Sequence, residues 1–143
     1  GHCYAVTDSS GAVVGGSVWS PPDVAMLTEA EGAEFGMGVH LVAGEPAVER
    51  LMALGGLVGE RHPHDRPHFY LFIVGAAEHG RGHGAALLQP VIDRCDADGL
   101  PAYLESSNGR NVSFYERLGF RVTWEATPTE DGPVMRGMWR EPA

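Results

Sequence analysis

The segment VGAAEHGRGHGAALL, from Val74 to Leu88, decides the fold because it places three alternating glycines between an apolar run and an amphipathic helix. The apolar run, HFYLFIV from His68 to Val74, is rich in aromatic and β-branched residues and predicts a strand. Glycines in a strand-to-helix turn allow positive φ and let a ligand approach the backbone closely. The start of the helix adds unpaired N–H donors and a partial positive charge. The segment therefore predicts a site for a phosphate or pyrophosphate group.

The sequence after this turn limits the kinds of phosphate-binding fold that fit the glycines. The helix, predicted from about Gly82 to Ala97, is followed by a second apolar strand, PAYLESS from Pro101 to Ser107. Next comes SNGRNVSFYERLGF, in which a short helix ends at Gly119. This succession resembles the GNAT superfamily of acyl-CoA-dependent N-acetyltransferases. The pyrophosphate loop of that family follows the pattern Gln/Arg-x-x-Gly-x-Gly/Ala, and HGRGHG from His79 to Gly84 departs from it only at His79.

A second signature supports the same resemblance. In the family, an asparagine precedes a short helix that carries a tyrosine and ends in Gly-Phe, and the matching residues here are Asn111, Tyr115, Gly119 and Phe120. The chain is especially similar in sequence to a bacterial and fungal group of GNAT proteins whose substrates are mostly unassigned. The similar segments are HPHDRPHFYL, LESSN and NVSFYERLGF. The resemblance covers about Cys3 to Trp139.

The resemblance implies an α/β fold in which helices flank a mixed central sheet that splays at the acyl-CoA site. The family usually opens with a strand and two helices before the hairpin that CYAVTD and AVVGGSVW predict, so we expect the 143 residues to form one domain lacking those N-terminal elements. The long segment from Pro21 to Pro67 is expected to cover the acceptor side. It predicts one helix from Pro46 to Glu60 and another within Asp23 to Glu34, where glycines interrupt the pattern.

By the same resemblance, acetyl-CoA is the expected cosubstrate, and ten residues are expected to contact it. They are Val74 and Ala76 at the strand end, His79, Gly80, Arg81, Gly82, His83, Gly84 and Ala85 in the turn and helix start, and Asn111. The strand end would pair with the pantetheine arm as an added strand does, and the turn amides would hold the pyrophosphate. Two of these residues have an alternative interpretation, Arg81 as a solvated surface residue and Asn111 as a helix cap.

Acetyl transfer to an amine needs a base for the amine proton and an acid for the leaving thiolate. Tyr115 matches the tyrosine that lies near the coenzyme sulfur in the family, and its alternative is a core aromatic residue. His68 is the first candidate for the base, because several family members carry a basic Glu or His there and an imidazole is largely neutral at pH 7. Its alternative is a hydrogen-bonded edge histidine. Glu105 is the second candidate, with a structural hydrogen bond as its alternative.

Composition excludes several classes of protein. The net charge of −9 and the pI of about 5.1 argue against binding to a nucleic-acid backbone and agree better with a cationic acceptor. The sequence contains neither an apolar run long enough to span a membrane nor a secretion signal, so we expect a soluble, cytoplasmic protein. Cys3 and Cys95 have no metal-ligand spacing and are expected to be free thiols.

Two other chemistries fit the residues less well. His62, His64 and His68 suggest a zinc site, but the prolines make their spacing irregular and no further ligand completes a tetrahedral set, so no metal is expected. Gly80, Gly82 and Ala85 fit a dinucleotide-binding pattern with Glu105 about twenty residues later. However, the turn lies too far past the strand, and too little chain follows for the repeated βαβ units of that fold.

The sequence therefore predicts transfer of an acetyl group from acetyl-CoA to a primary amine, a small molecule or a peptide. The resemblance implies direct attack in a ternary complex, without a covalent enzyme intermediate, and it leaves a homodimer open. The competing hypothesis is a non-catalytic acyl-CoA sensor or interaction module. Catalysis is favoured if His68, Glu105 and Tyr115 converge on the thioester.

Overall fold

A six-stranded mixed sheet forms the centre of the molecule. The computed structural model describes residues 2–77 and 80–143. The strands are β1 (His2–Thr7), β2 (Val13–Ser20), β3 (Phe69–Ala76), β4 (Ala102–Ser106), β5 (Arg121–Ala126) and β6 (Met135–Arg140). The helices are α1 (Glu29–Ala43), α2 (Glu45–Arg61), α3 (His83–Asp98) and α4 (Val112–Arg117), the last preceded by a 3₁₀ turn at Gly109–Asn111. No helix in the described parts of the chain is both long and apolar enough to cross a bilayer.

The sheet has the order β1-β2-β3-β4-β6-β5, and its neighbours are antiparallel except for β3 and β4. The parallel pair is short. Phe69, Tyr70 and Leu71 pair with Ala102, Tyr103 and Leu104, after which β3 continues to Ala76 and β4 to Ser106. The two strands therefore diverge beyond Leu71 and Leu104, which confirms the predicted splayed α/β fold.

The alternation of side chains along a strand gives the sheet two different faces. One face buries Phe69, Leu71, Ala102 and Leu104 in a core with the apolar side of α3. The buried residues of that helix are Leu87, Leu88, Val91, Ile92 and Cys95. The opposite face carries Tyr70, Tyr103 and Glu105, which have the other parity. The core thus rests on one face, and the polar and aromatic groups of β3 and β4 are left on the other.

The connection between β2 and β3 differs in part from its prediction. The helix beginning at Pro46 is confirmed, with the proline in the first turn of α2. The helix predicted within Asp23 to Glu34 lies later, because α1 begins after Thr28 and continues through its glycines to Ala43. Thr28 and Glu31 form a capping box, a signal that the prediction did not use. Neither helix has a fully buried residue.

A buried arginine ties the last strand to two helices. The guanidinium of Arg140, only 8% exposed, donates to both carboxylate oxygens of Asp96 on α3 at 2.7 and 2.8 Å. Its Nε donates to the carbonyl oxygen of Leu118 at 2.9 Å. The chain turns there at Gly119, with φ +90°, where a Cβ would lie 3.2 Å from Nε. The hydrogen bonds from Arg140 hold the pKa of Asp96 below its usual value.

A glycine on β6 gives room to an indole ring. A Cβ at Gly137 would overlap the ring of Trp124, which crosses from β5 over β6 at this point. The Nε1 of Trp124 donates to the phenol oxygen of Tyr103 on β4 at 3.0 Å. Gly137 therefore permits a contact that fixes Tyr103 on the polar face of the sheet.

This packing predicts different effects for two Gly→Ala substitutions. Gly137→Ala should lower the free energy of unfolding by about 2–3 kcal/mol, because the new methyl group displaces the Trp124 indole. Gly36→Ala is the matched control, because the space around that α1 position is open and alanine favours a helix by about 0.5–1 kcal/mol. Urea unfolding measures both variants. A Gly137→Ala protein as stable as the wild type would contradict the contact.

The chain has two bidentate arginine–carboxylate pairs, one partly buried and one exposed. Substitutions in them test how burial changes the contribution of such a pair to stability. Arg140→Met should cost about 3 kcal/mol, because it leaves Asp96 without its partner. Asp96 has a lowered pKa in the folded state, so its contribution is complete above its unfolded pKa of about 3.9 and is lost as the pH falls through the folded value. The stability difference between variant and wild type should therefore shrink in acid.

Arg66→Met removes the similar but exposed pair with Glu141 and should cost clearly less than Arg140→Met, because solvent screens exposed charges. Equal losses at pH 7 in urea unfolding of the two variants would contradict the role given to burial.

Candidate active site

A cavity of about 720 Å³, here called the turn cavity, lies between the end of β3, the glycine turn and α4. Eight of the ten residues predicted to contact the coenzyme line it, namely Val74, Ala76, Gly80, Gly82, His83, Gly84, Ala85 and Asn111. Arg81 is exposed and is not among the lining residues. His79 lies outside the described residues.

The glycine turn has the backbone geometry that the sequence predicts. Gly80 and Gly82 have φ values of +77° and +79°, and Gly82 is the N-cap of α3. Glycine offers no side chain to cap a helix, so the first N–H groups of α3 are left for a ligand or water. A Cβ at Gly84 would lie 3.1 Å from the Phe114 ring, so this glycine lets the start of α3 approach α4. The turn therefore presents helix N–H donors at the mouth of the cavity.

A second cavity of about 210 Å³, here called the splay cavity, opens where β3 and β4 diverge. Leu71 and Val74 line it from one strand, and Leu104 and Glu105 line it from the other. Val74, Asn111 and Tyr115 line both this cavity and the turn cavity. The two spaces are therefore adjacent, and Tyr115 stands at their boundary.

Tyr115 and Asn111 are the residues of α4 and its approach that face these cavities. Burial raises the pKa of the Tyr115 phenol, whose residue is 6% exposed, so the phenol keeps its proton at neutral pH. Asn111 makes no side-chain cap bond to α4. Asn111 is the N-cap residue of α4 by position only, whereas the side chain of Asn108 caps the preceding 3₁₀ turn, with its Oδ1 accepting from the Arg110 N–H at 3.0 Å. The structure thus shows no capping bond for the Asn111 side chain, which lines both cavities.

Glu105 is a nearly buried carboxylate on the polar face of the sheet. Its side chain is 5% exposed, and Oε1 has no hydrogen-bond partner among the described residues. Burial, and then the Glu105 carboxylate, raise the pKa of the phenols of Tyr70 and Tyr103 well above the ordinary value. The two phenols also hydrogen-bond to this carboxylate, so the atom that lacks a hydrogen bond among the described residues is Oε1. A buried polar atom without a partner is costly to a fold and is often found at a functional site.

His68 lies one residue before β3 and uses both ring nitrogens. Its Nδ1 is 2.8 Å from the carbonyl oxygen of Arg66, and its Nε2 is 3.1 Å from Nε2 of His62. Burial is the main cause of the lowered pKa of His68, which favours the neutral ring.

His62 contacts both His68 and Glu105. It caps the C-terminus of α2 in an extended conformation, as expected of a residue before proline. Its Nδ1 lies 3.6 Å from Oε1 of Glu105. The sequence prediction considered His62 only as a metal ligand and missed this contact, although its place in HPHDRPH, directly after the last residue of α2, was the available signal.

A third cavity, of about 540 Å³, lies on the side of the histidines and is here called the histidine cavity. It is lined by His62, His64, His68 and Tyr70, together with residues between Ser20 and Met26. The two ends of the β2–β3 connection thus form part of its wall. Within residues 2–77 and 80–143, no group of three His, Cys, Asp or Glu side chains is placed to hold a metal ion.

Comparisons with known proteins agree with this architecture. Residues 47–141 match the model of the acetyltransferase (GNAT) domain. An uncharacterized N-acetyltransferase of Schizosaccharomyces pombe is 43% identical over 63 residues, which are 43% of this chain and 24% of that protein. The chain thus spans about a quarter of the length of this curated relative.

Two solved structures share the fold. The crystal structure of histone acetyltransferase HPA2 and related acetyltransferase from Corynebacterium glutamicum has a TM-score of 0.68 and 26% identity, covering 99% of this chain and 64% of that one. A Drosophila melanogaster polyamine N-acetyltransferase has a TM-score of 0.58 and 14% identity, covering 97% and 74%. The family match extends over most of the sequence and includes the glycine turn, the splayed strands and α4. This chain belongs to the acetyltransferase (GNAT) domain family, a family of enzymes.

Proposed function

We propose that this domain transfers an acetyl group from acetyl-CoA to a primary amine by direct attack in a ternary complex. One observation carries the proposal. The turn cavity leads into the splay cavity, and the two groups available for proton transfer, the Tyr115 phenol and the Glu105 carboxylate, line that path. A long coenzyme can thus extend from the helix start to the splay with its thioester between an acid and a base.

The coenzyme side of the proposal rests on unused backbone groups. The N–H groups at the start of α3 suit a pyrophosphate. One edge of β3 is used, because Gly15, Gly16 and Ser17 of β2 pair with Ala76, Gly75 and Val74. The edge that faces β4 has no strand partner beyond Leu71, so a pantetheine arm can pair there as an added strand. Val74 and Ala76 would make their backbone contacts with the pantetheine arm along that edge.

Tyr115 is proposed as the acid. Attack of a neutral amine on the thioester carbonyl forms the C–N bond, and breaking the C–S bond releases a thiolate. The thiolate takes the phenol proton of Tyr115, which burial keeps protonated. A thiolate is already a fair leaving group, since the thiol pKa is near 8.5, so this acid assists the reaction without being indispensable.

Of the two predicted bases, the contacts support Glu105 over His68. Glu105 has an unpartnered oxygen and lines the splay cavity, so it can accept the amine proton there. Both nitrogens of His68 already have partners, and His68 lines the histidine cavity instead. We therefore propose Glu105 as the group that takes the proton and His68 as a residue that supports it.

The acceptor is proposed to be a cationic amine. The chain has a net charge of −9, and aromatic rings together with a buried carboxylate suit an ammonium group. Solved structures of similar fold include an agmatine N-acetyltransferase, a polyamine N-acetyltransferase and a ribosomal-protein-S18-alanine N-acetyltransferase. A first panel of acceptors is therefore agmatine, spermidine and an alanine-initiated peptide.

Binding of acetyl-CoA is the first test, with two glycines of α3 as a matched pair. Gly82 and Gly99 cap the two ends of α3, both at positive φ. Alanine at either position is strained and should cost about 1 kcal/mol of stability. In calorimetric titration, the wild type and Gly99→Ala should bind acetyl-CoA alike, whereas Gly82→Ala should bind roughly tenfold more weakly, a loss of about 1.4 kcal/mol. Equal affinities of all three would contradict the proposed phosphate site, and binding without turnover of any amine would favour the sensor.

Measurements of turnover distinguish the proton-transfer roles of Tyr115 and Glu105 from a role in binding acetyl-CoA. Thiol release with the amine panel should fall about 10- to 100-fold in Tyr115→Phe, which has no proton to donate, and about 100-fold or more in Glu105→Gln, which cannot accept one, while both keep nearly the same shape. The dissociation constant for acetyl-CoA should stay within about twofold in both. An unchanged kcat in either variant would remove that residue from the reaction.

A further inference from the structure

His62 stands between two cavities that share no lining residue. It lines the histidine cavity, and its Nδ1 faces Oε1 of Glu105, which lines the splay cavity, at 3.6 Å. The His62 side chain is 22% exposed, whereas that of Glu105 is 5% exposed. A proton accepted by Glu105 therefore has His62 as its neighbour on the side of the histidine cavity.

Hydrogen-bond chemistry fixes the protons of the two histidines. A carbonyl oxygen only accepts, so Nδ1 of His68 donates to Arg66. Since burial favours the neutral form of His68, its Nε2 carries a lone pair. The contact of 3.1 Å between the two Nε2 atoms then requires the Nε2 of His62 to donate. The nitrogen of His62 that remains to gain or lose a proton is Nδ1, the one facing Glu105.

We infer that His62 carries the amine proton from Glu105 to the histidine cavity, and that His68 is a positioning residue that holds His62 in the tautomer this transfer needs. The inference rests on the proposed function. In the transfer, the O–H bond of protonated Glu105 breaks and an N–H bond forms at Nδ1 of His62. Glu105 becomes a carboxylate again and His62 becomes an imidazolium. The same Nδ1–H bond then breaks as the proton passes to a water molecule in the histidine cavity, which His62 lines, and His62 returns to its neutral Nε2–H tautomer. No electron is exchanged.

The neighbouring rings of Tyr70, Tyr103 and His64 do not compete with His62 for the proton of Glu105. The rings of Tyr70 and Tyr103 meet the imidazole edge-on, with centroids at 4.8 and 5.1 Å. Both phenols hold their protons at neutral pH, so neither accepts one from Glu105. The remaining titratable neighbour, His64, has its ring centroid 5.6 Å away, and its Nε2 is directed to the carbonyl oxygen of Gly59. Glu105 is thus the charged group that faces His62 from the sheet.

His62→Gln provides the kinetic test, because glutamine can still donate to His68 but cannot carry a proton. With the best amine of the panel, kcat should fall about 10- to 100-fold while KM for acetyl-CoA stays within about twofold. Free imidazole should restore part of the kcat of His62→Ala. His40→Gln is the control, since His40 forms a similar contact with Glu45, 3.1 Å long, at the surface and should keep wild-type kcat. A kcat within twofold of wild type in His62→Gln would overturn the inference, as would an equal rise in KM for acetyl-CoA.

Nitrogen-15 NMR of the histidine rings tests the arrangement without any acceptor. In the neutral rings of the wild type, His68 should be the Nδ1–H tautomer and His62 the Nε2–H tautomer. The opposite tautomer at His62 would overturn the proton route even in an active enzyme. The expected tautomers in a protein that binds acetyl-CoA but acetylates no amine would refute the proposed function instead, and this distinguishes the two failures.

Discussion

The structure depends on the short pairing between its two parallel strands. Three residue pairs, ending at Leu71 and Leu104, join β3 to β4, and both strands then continue apart. The pairing is sufficient to make one sheet, because the antiparallel neighbours on either side hold each strand in place. The separation leaves polar backbone groups without strand partners inside the molecule. Such groups need hydrogen bonds, and a peptide-like ligand arm can supply them.

The alternation of side chains on β4 places stability and chemistry on opposite sides of one strand. Ala102 and Leu104 belong to the core, whereas Tyr103 and Glu105 face the aromatic residues. The packing of Ala102 and Leu104 in the core orients Glu105 on the opposite face of the strand. Trp124 adds a hydrogen bond to Tyr103 from the far edge of the sheet, so a residue two strands away supports the same surface.

Local signals explain which parts of the structure could be predicted from the sequence. The glycine turn, α3 and the first hairpin follow from glycine conformations and alternating apolar residues that lie close together in the chain. The start of α1 was misplaced because its glycines lower helix propensity and the Thr28–Glu31 box was overlooked. His62 was missed because its contact with Glu105 depends on how α2 ends relative to a strand far along the sequence. Contacts between distant segments leave no periodicity to read.

The helical pair α1 and α2 contributes no fully buried side chain, although the segments at its two ends shape the histidine cavity. Substitutions in these helices therefore cost the fold little, in contrast to changes in α3. Under the proposed function, the wall toward the acceptor can therefore vary over evolutionary time while the half toward the coenzyme stays fixed.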